Sequence, residues 1–314
     1  MIAEQIAEYV NYLSYEKHFS AHTILAYETD LSQFSQFVQL QFEVDDTNLI
    51  SHQHIRSWLV ELMNNEIDAR SVSRKLSSLR GFYKFLLREN LVTKNPVSKV
   101  QGPKARKKLP SFVEESPMTR LFDLDKHTKA TKNDDTKEAD EEDRMFPDTF
   151  EGRRDRLMLL LFYTCGIRLS ELIGLKIPDI NAYQQTIKVL GKRNKERIIP
   201  ITKELGTELE SYLAEKDLIG LKNDYLFVVS SGEKLYPKMV YNTVKLYLSK
   251  VTTIEKRSPH VLRHTYATHL LNNGADLNAI KELLGHASLA ATQVYTHNSI
   301  ERLKNIHKMR HPRA

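Results

Sequence analysis

Hydrophobic residues recur every three or four positions through the first third of this chain, from Ile2 to Asn95. The pattern falls into four stretches: IAEYVNYL, ILAYETDLSQFSQFV, IRSWLVELM and VSRKLSSLRGFYKFLLREN. Such spacing places the apolar side chains on one face of a helix. Polar stops such as Ser20 and Ser71 separate the stretches. The sequence therefore predicts four helices in a compact all-α domain, with Trp58 in its core.

A basic segment, GPKARKKLPSF at residues 102–112, follows this domain. Its two prolines and four basic residues predict an exposed linker that can lie along a phosphate backbone. The chain is thus divided into a helical domain at 1–101, the linker, and a second domain at 113–314. Within the second domain, residues 123–148 lack apolar periodicity and are predicted to form a disordered acidic insert.

The second domain is also predicted to be mainly helical, with a small antiparallel sheet. RRDRLMLLLFYTCG reads as a buried helix that ends at Gly166, with Arg168 just beyond. Apolar and polar residues alternate in TIKVL and in ERIIPI, which predicts two strands joined by the turn GKRNK. Near the C-terminus, Pro259 begins one helix, for which Ser258 is the expected N-cap, and Gly285 closes the helix in AIKELLG.

Composition favours a protein with a polyanionic partner. The 314 residues carry a net charge of +6, yet residues 134–143 (DDTKEADEED) alone contribute −6, so the remainder carries +12. Nucleic acid is the leading candidate for a partner of so basic a chain. A ribosomal or membrane-surface role would require a similar charge.

The chain is expected to be a cytoplasmic protein. Its longest apolar run, LMLLLFY, is too short to span a bilayer, and residues 1–19 lack the basic start of a signal peptide. The single cysteine, Cys165, cannot form an internal disulfide, and its apolar setting predicts a packed side chain rather than a reactive thiol.

Six residues form an ordered set that can cut a phosphodiester without a metal: Arg168, Lys192, His260, Arg263, His286 and Tyr295. A tyrosine that attacks phosphorus needs the negative charge of the transition state offset, which paired arginines do. It also needs one proton removed from the phenol and one delivered to the departing oxygen, which suits histidine and lysine. His260 and Arg263 are three residues apart and therefore share one helix face.

The chain resembles the tyrosine recombinases, and within them the bacterial Xer type. The most specific stretches are TCGIRLSEL, GKRNKERIIPI, HVLRHTYATHLL and LLGHASLAATQVYTH. The resemblance covers nearly the whole chain and implies a SAM-like, DNA-clamping (core-binding) four-helix domain followed by the catalytic domain. The sequence departs from the family at Arg193, where a glycine usually follows the lysine.

The resemblance also implies the roles of the six residues. Tyr295 is the nucleophile, Arg168 and Arg263 bind the nonbridging oxygens, and Lys192 protonates the leaving 5′ oxygen. His260 is the proton acceptor and His286 a hydrogen-bond donor to the phosphate. An acid is usual at the position of Glu171, where it is expected to orient Arg168.

Basic residues outside this set are predicted to contact DNA phosphates. They lie on the fourth helix, in the linker and in the lysine turn: Arg70, Arg74, Lys75, Arg80, Lys104, Arg106, Lys107, Arg193 and Lys195.

The expected function is site-specific DNA recombination through a 3′-phosphotyrosine and a Holliday junction, in the resolution of chromosome dimers at cell division. The implied partners are duplex DNA with paired half-sites, three further protomers in a tetramer that can include a second related recombinase, and a DNA translocase of the division septum. A mobile-element integrase, a type IB topoisomerase and a catalytically silent DNA-binding relative remain alternatives. No cofactor and no metal are expected, since neither a P-loop nor an HExxH motif is present.

Overall fold

The structure is a computed structural model that describes residues 1–104, 111–130, 144–191 and 196–285, with the backbone alone for residues 123–130. The described part is mainly helical and contains one small antiparallel sheet, which confirms the predicted fold class. The chain divides into two compact units, Met1–Lys108 and Leu109–Ala314, each with its own hydrophobic core. None of the described helices is both long and apolar enough to cross a membrane.

The N-terminal unit contains the four predicted helices. Their bounds are α1 Ile2–Asn11, α2 Ala21–Phe42, α3 His52–Asn64 and α4 Ala69–Arg88, with a π-helical turn at Tyr12–Glu16 and a 3-10 turn at Pro96–Lys99. The side chains of Ser20, Ser51 and Asp68 accept hydrogen bonds from the first turns of α2, α3 and α4 and so cap them. Trp58 is 2% exposed and packs edge-on against Phe34, as expected of a core residue.

A buried carboxylate joins α2 to α4. Asp30 is 1% exposed and accepts hydrogen bonds from Arg74 Nη2 at 2.9 Å, Lys75 Nζ at 3.0 Å and Ser78 Oγ at 2.8 Å. Lys75 also donates to Gln33 and is only 7% exposed. This burial argues against the predicted direct phosphate contact by Lys75, whose ammonium group is used inside the unit. Arg74 remains half-exposed while it holds the same carboxylate.

The second unit contains the remaining described elements. Its helices are α5 Glu115–Ala130, α6 Phe150–Cys165, α7 Leu169–Gly174, α8 Lys203–Leu218, α9 Pro237–Val251, α10 Pro259–Asn272 and α11 Leu277–Leu284. Its strands are β1 Ile180–Asn181, β2 Thr186–Leu190 and β3 Glu196–Pro200, preceded by a 3-10 turn at Ile177–Asp179. They form an antiparallel sheet in the order β1-β2-β3, and Arg197 of β3 lies opposite Val189 of β2.

Helix α10 is buried on most of its surface, including its polar residues. Thr265 accepts a hydrogen bond from the backbone amide of Val113 at 3.0 Å. The two ring nitrogens of His269 lie 2.9 Å from the Val113 carbonyl oxygen and 3.0 Å from the Tyr163 hydroxyl. These bonds hold the segment before α5 against the helix that carries His260 and Arg263.

The structure differs from the predicted acidic insert at both of its ends. Helix α5 continues to Ala130, so residues 123–130 are helical. Met145 and Phe146 are buried in the core, where the ring centroid of Phe146 lies 4.3 Å from that of Tyr247. Two apolar residues beside an acidic run are too few to produce a periodic pattern. Residues 131–143 lie outside the described residues.

Replacing Asp30 with Asn should destabilise the N-terminal unit. The change leaves the buried ammonium of Lys75 without its counterion, and breaking a buried ion pair typically costs about 3–5 kcal/mol. Urea unfolding of the full chain measures the loss. Glu89→Gln is the control, because its pair with Arg88 is exposed to water and should contribute little. Equal urea midpoints for the two variants would contradict the importance of Asp30.

Candidate active site

Three of the six predicted catalytic residues lie within the described part of the chain: Arg168, His260 and Arg263. Lys192, His286 and Tyr295 lie outside it, as do Arg193 and Lys195. The site is therefore built here from the two arginines, the histidine and the side chains that contact them.

The position of Arg168 depends on Gly166. This glycine has φ +57° and ends α6, since the left-handed conformation cannot continue a helix. A Cβ at Gly166 would lie 2.4 Å from Cδ1 of Tyr266, so any other residue would be strained and would have to displace the Tyr266 ring. The chain then turns at once, and Arg168 becomes the N-cap residue of α7 with its side chain 22% exposed.

Glu171 in the first turn of α7 fixes Arg168 at two points. One carboxylate oxygen accepts from the Arg168 backbone amide at 2.7 Å, and the other accepts from Arg168 Nη1 at 2.7 Å. Arg197 of β3 binds the same carboxylate with both Nη1 (2.7 Å) and Nη2 (2.8 Å). Glu171 is 4% exposed and is thus a buried anion shared by two arginines.

The two arginines determine the ionisation state of Glu171. Burial by itself raises the pKa of this carboxyl. The hydrogen bonds from Arg197 and Arg168 favour the charged form more strongly and lower the pKa to about 2. The carboxylate is therefore ionised at any pH near neutrality.

Three consecutive carbonyl groups at the end of α11 each accept a hydrogen bond from a different arginine. The bonds are Arg197 Nε to Leu283 O (2.9 Å), Arg263 Nη2 to Leu284 O (2.6 Å) and Arg168 Nη2 to Gly285 O (3.1 Å). The last carbonyls of a helix lack partners within the helix and carry its partial negative charge, so they attract cations. The end of α11 therefore gathers the three guanidinium groups in one place.

Helix α10 supplies His260 and Arg263 to the same site. Pro259 is its first residue and Ser258 its N-cap, as predicted, although the Ser258 hydroxyl makes no capping bond. Arg263 is 5% exposed and also donates from Nη1 to the Gly166 carbonyl. His260 remains exposed.

The surroundings of His260 favour its neutral form. Although its side chain is exposed overall, partial desolvation lowers the pKa of the imidazole, and the charges of Arg263, Lys256 and Arg168 lower it further. A ring that is unprotonated at neutral pH can accept a proton from a reacting group.

The site contains three arginines and one carboxylate, which leaves it with excess positive charge. It is therefore suited to bind an anion beside a neutral base.

Arg197 is the residue that the sequence analysis missed. Its only signal was its place in ERIIP, where alternation assigns it to the same strand face as the buried Ile199. Cys165, as predicted, is fully buried, and burial raises the pKa of its thiol to about 11.

Tyr266, which among the described tyrosines is the nearest to Tyr295 in sequence, is poorly placed to act as a nucleophile. It is 9% exposed and packs against Gly166. Burial raises the pKa of its hydroxyl to about 12, with a further contribution from Cys165. Deprotonation of Tyr266 is thus disfavoured near neutral pH.

Most predicted phosphate-binding residues within the described chain are on the surface. The exposed ones are Arg70, Arg74, Arg80 and Lys104. Arg80 also donates from Nη2 to the Val100 carbonyl at 2.9 Å, and Lys75 is buried. Arg106 and Lys107 lie outside the described residues. No group of three or more metal-binding side chains that could hold an ion occurs among the described residues.

Both units match known protein families. Residues 138–302 match the phage integrase family, and residues 6–90 match the phage integrase N-terminal SAM-like domain. The tyrosine recombinase XerC of Chlorobaculum tepidum is 35% identical, with 98% of this chain and 94% of that protein covered. The XerC of Listeria monocytogenes is 36% identical, with 98% and 97% covered.

Solved structures agree with this assignment. XerA recombinase has a TM-score of 0.52 at 25% identity, covering 99% of each chain. XerH bound to its palindromic difH substrate has a TM-score of 0.72 at 22% identity, covering 96% of this chain and 83% of that one, and supports the fold. Family matches in both units and relatives 35–36% identical across nearly the whole length establish that this chain belongs to the phage integrase family, the tyrosine recombinases.

Proposed function

We propose that this protein is a site-specific recombinase that cuts and rejoins duplex DNA through a 3′-phosphotyrosine and a Holliday junction. The observation that carries the proposal is the anchoring of Arg168 and Arg263 on neighbouring carbonyls of α11, beside the neutral His260. Two guanidinium groups in fixed positions can offset the charge that develops on the nonbridging oxygens of a phosphate under attack.

Each proton transfer in the proposed reaction has a donor and an acceptor. The Tyr295 hydroxyl gives its proton to His260 as its oxygen bonds to phosphorus. The bond from phosphorus to the 5′ oxygen breaks, and that oxygen takes a proton from Lys192. His286, which follows Gly285 directly in the sequence, donates a hydrogen bond to the phosphate. The 5′ hydroxyl of a partner duplex then attacks the phosphotyrosine and releases Tyr295.

The proposed biological role is the resolution of chromosome dimers at cell division. The relatives named XerC support a tyrosine recombinase, and the palindromic difH substrate of XerH supports a substrate with paired half-sites. We propose a tetramer on DNA, formed by this chain alone or with a second related recombinase and acting with a DNA translocase of the division septum. We also propose the domain division 1–101, linker 102–112 and 113–314, with basic residues of each domain contacting DNA.

Replacing Tyr295 with Phe should abolish covalent protein–DNA adducts and leave DNA binding intact, because the ring remains and only the nucleophilic oxygen is lost. Denaturing electrophoresis of the protein on a nicked suicide duplex measures the adduct. Tyr266→Phe is the matched control and should form adducts normally, since Tyr266 is buried. Adduct formation by Tyr295→Phe would assign the nucleophile to another tyrosine.

Replacing Arg263 with Lys should slow cleavage by about 10²–10³-fold, as loss of one transition-state donor typically does. Lysine keeps the charge, yet it cannot hold both the Gly166 and Leu284 carbonyls as the guanidinium fork does. Single-turnover cleavage rates test this. Arg154→Lys serves as control because Arg154 is equally buried but bonds Asp155 and Val228 instead. Near-normal cleavage by Arg263→Lys would mean that charge alone suffices.

Replacing Lys192 with Ala should slow cleavage of ordinary DNA and be rescued by a substrate with sulfur at the bridging 5′ position. A thiolate leaves without protonation, whereas a 5′ alkoxide needs a proton as the bond breaks. Lys195→Ala, the control in the same predicted turn, should mainly weaken binding. Rescue of Lys195→Ala instead would move the general acid to that residue.

A further inference from the structure

Arg197 is held in place more firmly than a surface arginine would be. Strand pairing with Val189 fixes its backbone, and its side chain is 11% exposed. A Cβ added to Gly285 would lie 3.0 Å from Cδ of Arg197, so the arginine stem packs directly against the end of α11. Its guanidinium group therefore has little freedom to reorient.

All three nitrogens of the Arg197 guanidinium donate hydrogen bonds inside the protein. Nε donates to the Leu283 carbonyl at 2.9 Å, and Nη1 and Nη2 each donate to one carboxylate oxygen of Glu171. This is the two-point geometry that arginine prefers with a carboxylate. Arg197 thus acts on Glu171 and α11, without being presented to a substrate.

The two-point bond to Arg197 limits how Arg168 can bind the same carboxylate. Arg168 uses only Nη1 of its guanidinium for Glu171, while its Nη2 donates to the Gly285 carbonyl. The other N–H groups of this guanidinium meet no acceptor among the described residues. If Arg197 were absent, each carboxylate oxygen would lose one donor, and the Arg168 side chain could form a two-point bond beside the bond that its backbone amide makes to one of them. That bond would draw Arg168 away from the phosphate.

We propose that Arg197 is a positioning residue, which occupies Glu171 so that the guanidinium of Arg168 stays oriented toward the scissile phosphate. The role rests on the proposed function of Arg168. Arg197 is the second residue of β3, so its bonds tie this strand to the arginine site.

Cleavage by the full chain on a nicked suicide duplex tests this role. Arg197→Gln should lower the single-turnover rate at saturating protein by about 10–100-fold, as loss of an outer partner typically does at metal sites. The dissociation constant for DNA should stay nearly unchanged, because Arg197 contacts no phosphate in this role. Arg153→Gln is the matched control, since Arg153 makes a similar two-point pair with Glu215 away from the site and should cleave normally.

A double variant separates positioning from general stability. If Arg197 acts through Glu171, adding Arg197→Gln to Glu171→Gln should cost much less rate than it does in the wild type. The rate ratio of Arg197→Gln to wild type should rise as the pH is lowered through the weakly acidic range, because a protonated Glu171 no longer draws Arg168 away from the phosphate. Loss of two donors raises the pKa of the buried Glu171, so this variant loses the carboxylate at a higher pH than wild type does. Additive losses with a pH-independent ratio would overturn the proposal.

Thermal unfolding without DNA tests the hold on Glu171 even if no adduct forms. A carboxyl with a lowered folded pKa stabilises the protein above its unfolded pKa of about 4.3, and this stability is lost as the pH falls toward 2. The Tm gap between wild type and Arg197→Gln should therefore narrow from pH 7 to pH 3, and stay constant in the Glu171→Gln background. A constant Tm gap in both backgrounds would refute the stabilisation of the Glu171 carboxylate by Arg197.

Absence of any wild-type adduct would refute the proposed function instead. Arg197→Lys, which keeps the charge but lacks the fork, replaces Arg197→Gln if that variant does not fold.

Discussion

The candidate active site depends on one buried anion, the carboxylate of Glu171. Arg168 and Arg197 both bind it. Arg263 donates to the carbonyl of Leu284 at the end of α11, next to the carbonyls that Arg168 and Arg197 bind. Guanidinium groups repel one another in a partly buried setting, so they can be held together only by compensating negative charge. Glu171 supplies a full charge and the end of α11 supplies the partial charges of its last carbonyls. The remaining positive excess is what a phosphate can neutralise.

The local elements could be predicted because each has a strong signal of its own. Gly166 and Gly285 end α6 and α11 in the left-handed conformation, and alternation located β2 and β3. The start of α4 was less clear, since Ser71 lies within the helix and Asp68 caps it. Strand β1 has only two residues, too few for any periodic pattern.

The contacts of the site could not be read from the sequence. Arg197 bonds a glutamate 26 positions earlier and a carbonyl 86 positions later, and no periodicity links such distant residues. In helix α10 the polar residues Thr265, Thr268 and His269 are buried together with the apolar ones. Thr265 and His269 are satisfied by the backbone of Val113 and by Tyr163, contacts that exist only in the folded unit. Polar residues of this kind look solvent-facing in any pattern based on hydrophobicity.

Each of the two units has a buried carboxylate that binds two cations, but the two-point bond goes to a different kind of cation in each. In the N-terminal unit, Asp30 binds the buried Lys75 and the half-exposed Arg74, and the exposed cation takes the two-point bond. In the second unit Glu171 binds the nearly buried Arg197 and the more exposed Arg168, and the buried cation takes that bond. The difference matters for an anion outside the protein. A guanidinium that already makes a two-point bond to a carboxylate has the donors of its preferred edge occupied. Arg74 therefore offers an outside anion mainly its positive charge. A guanidinium that makes no two-point bond to a carboxylate keeps donors available, as the role proposed for Arg168 at a phosphate requires.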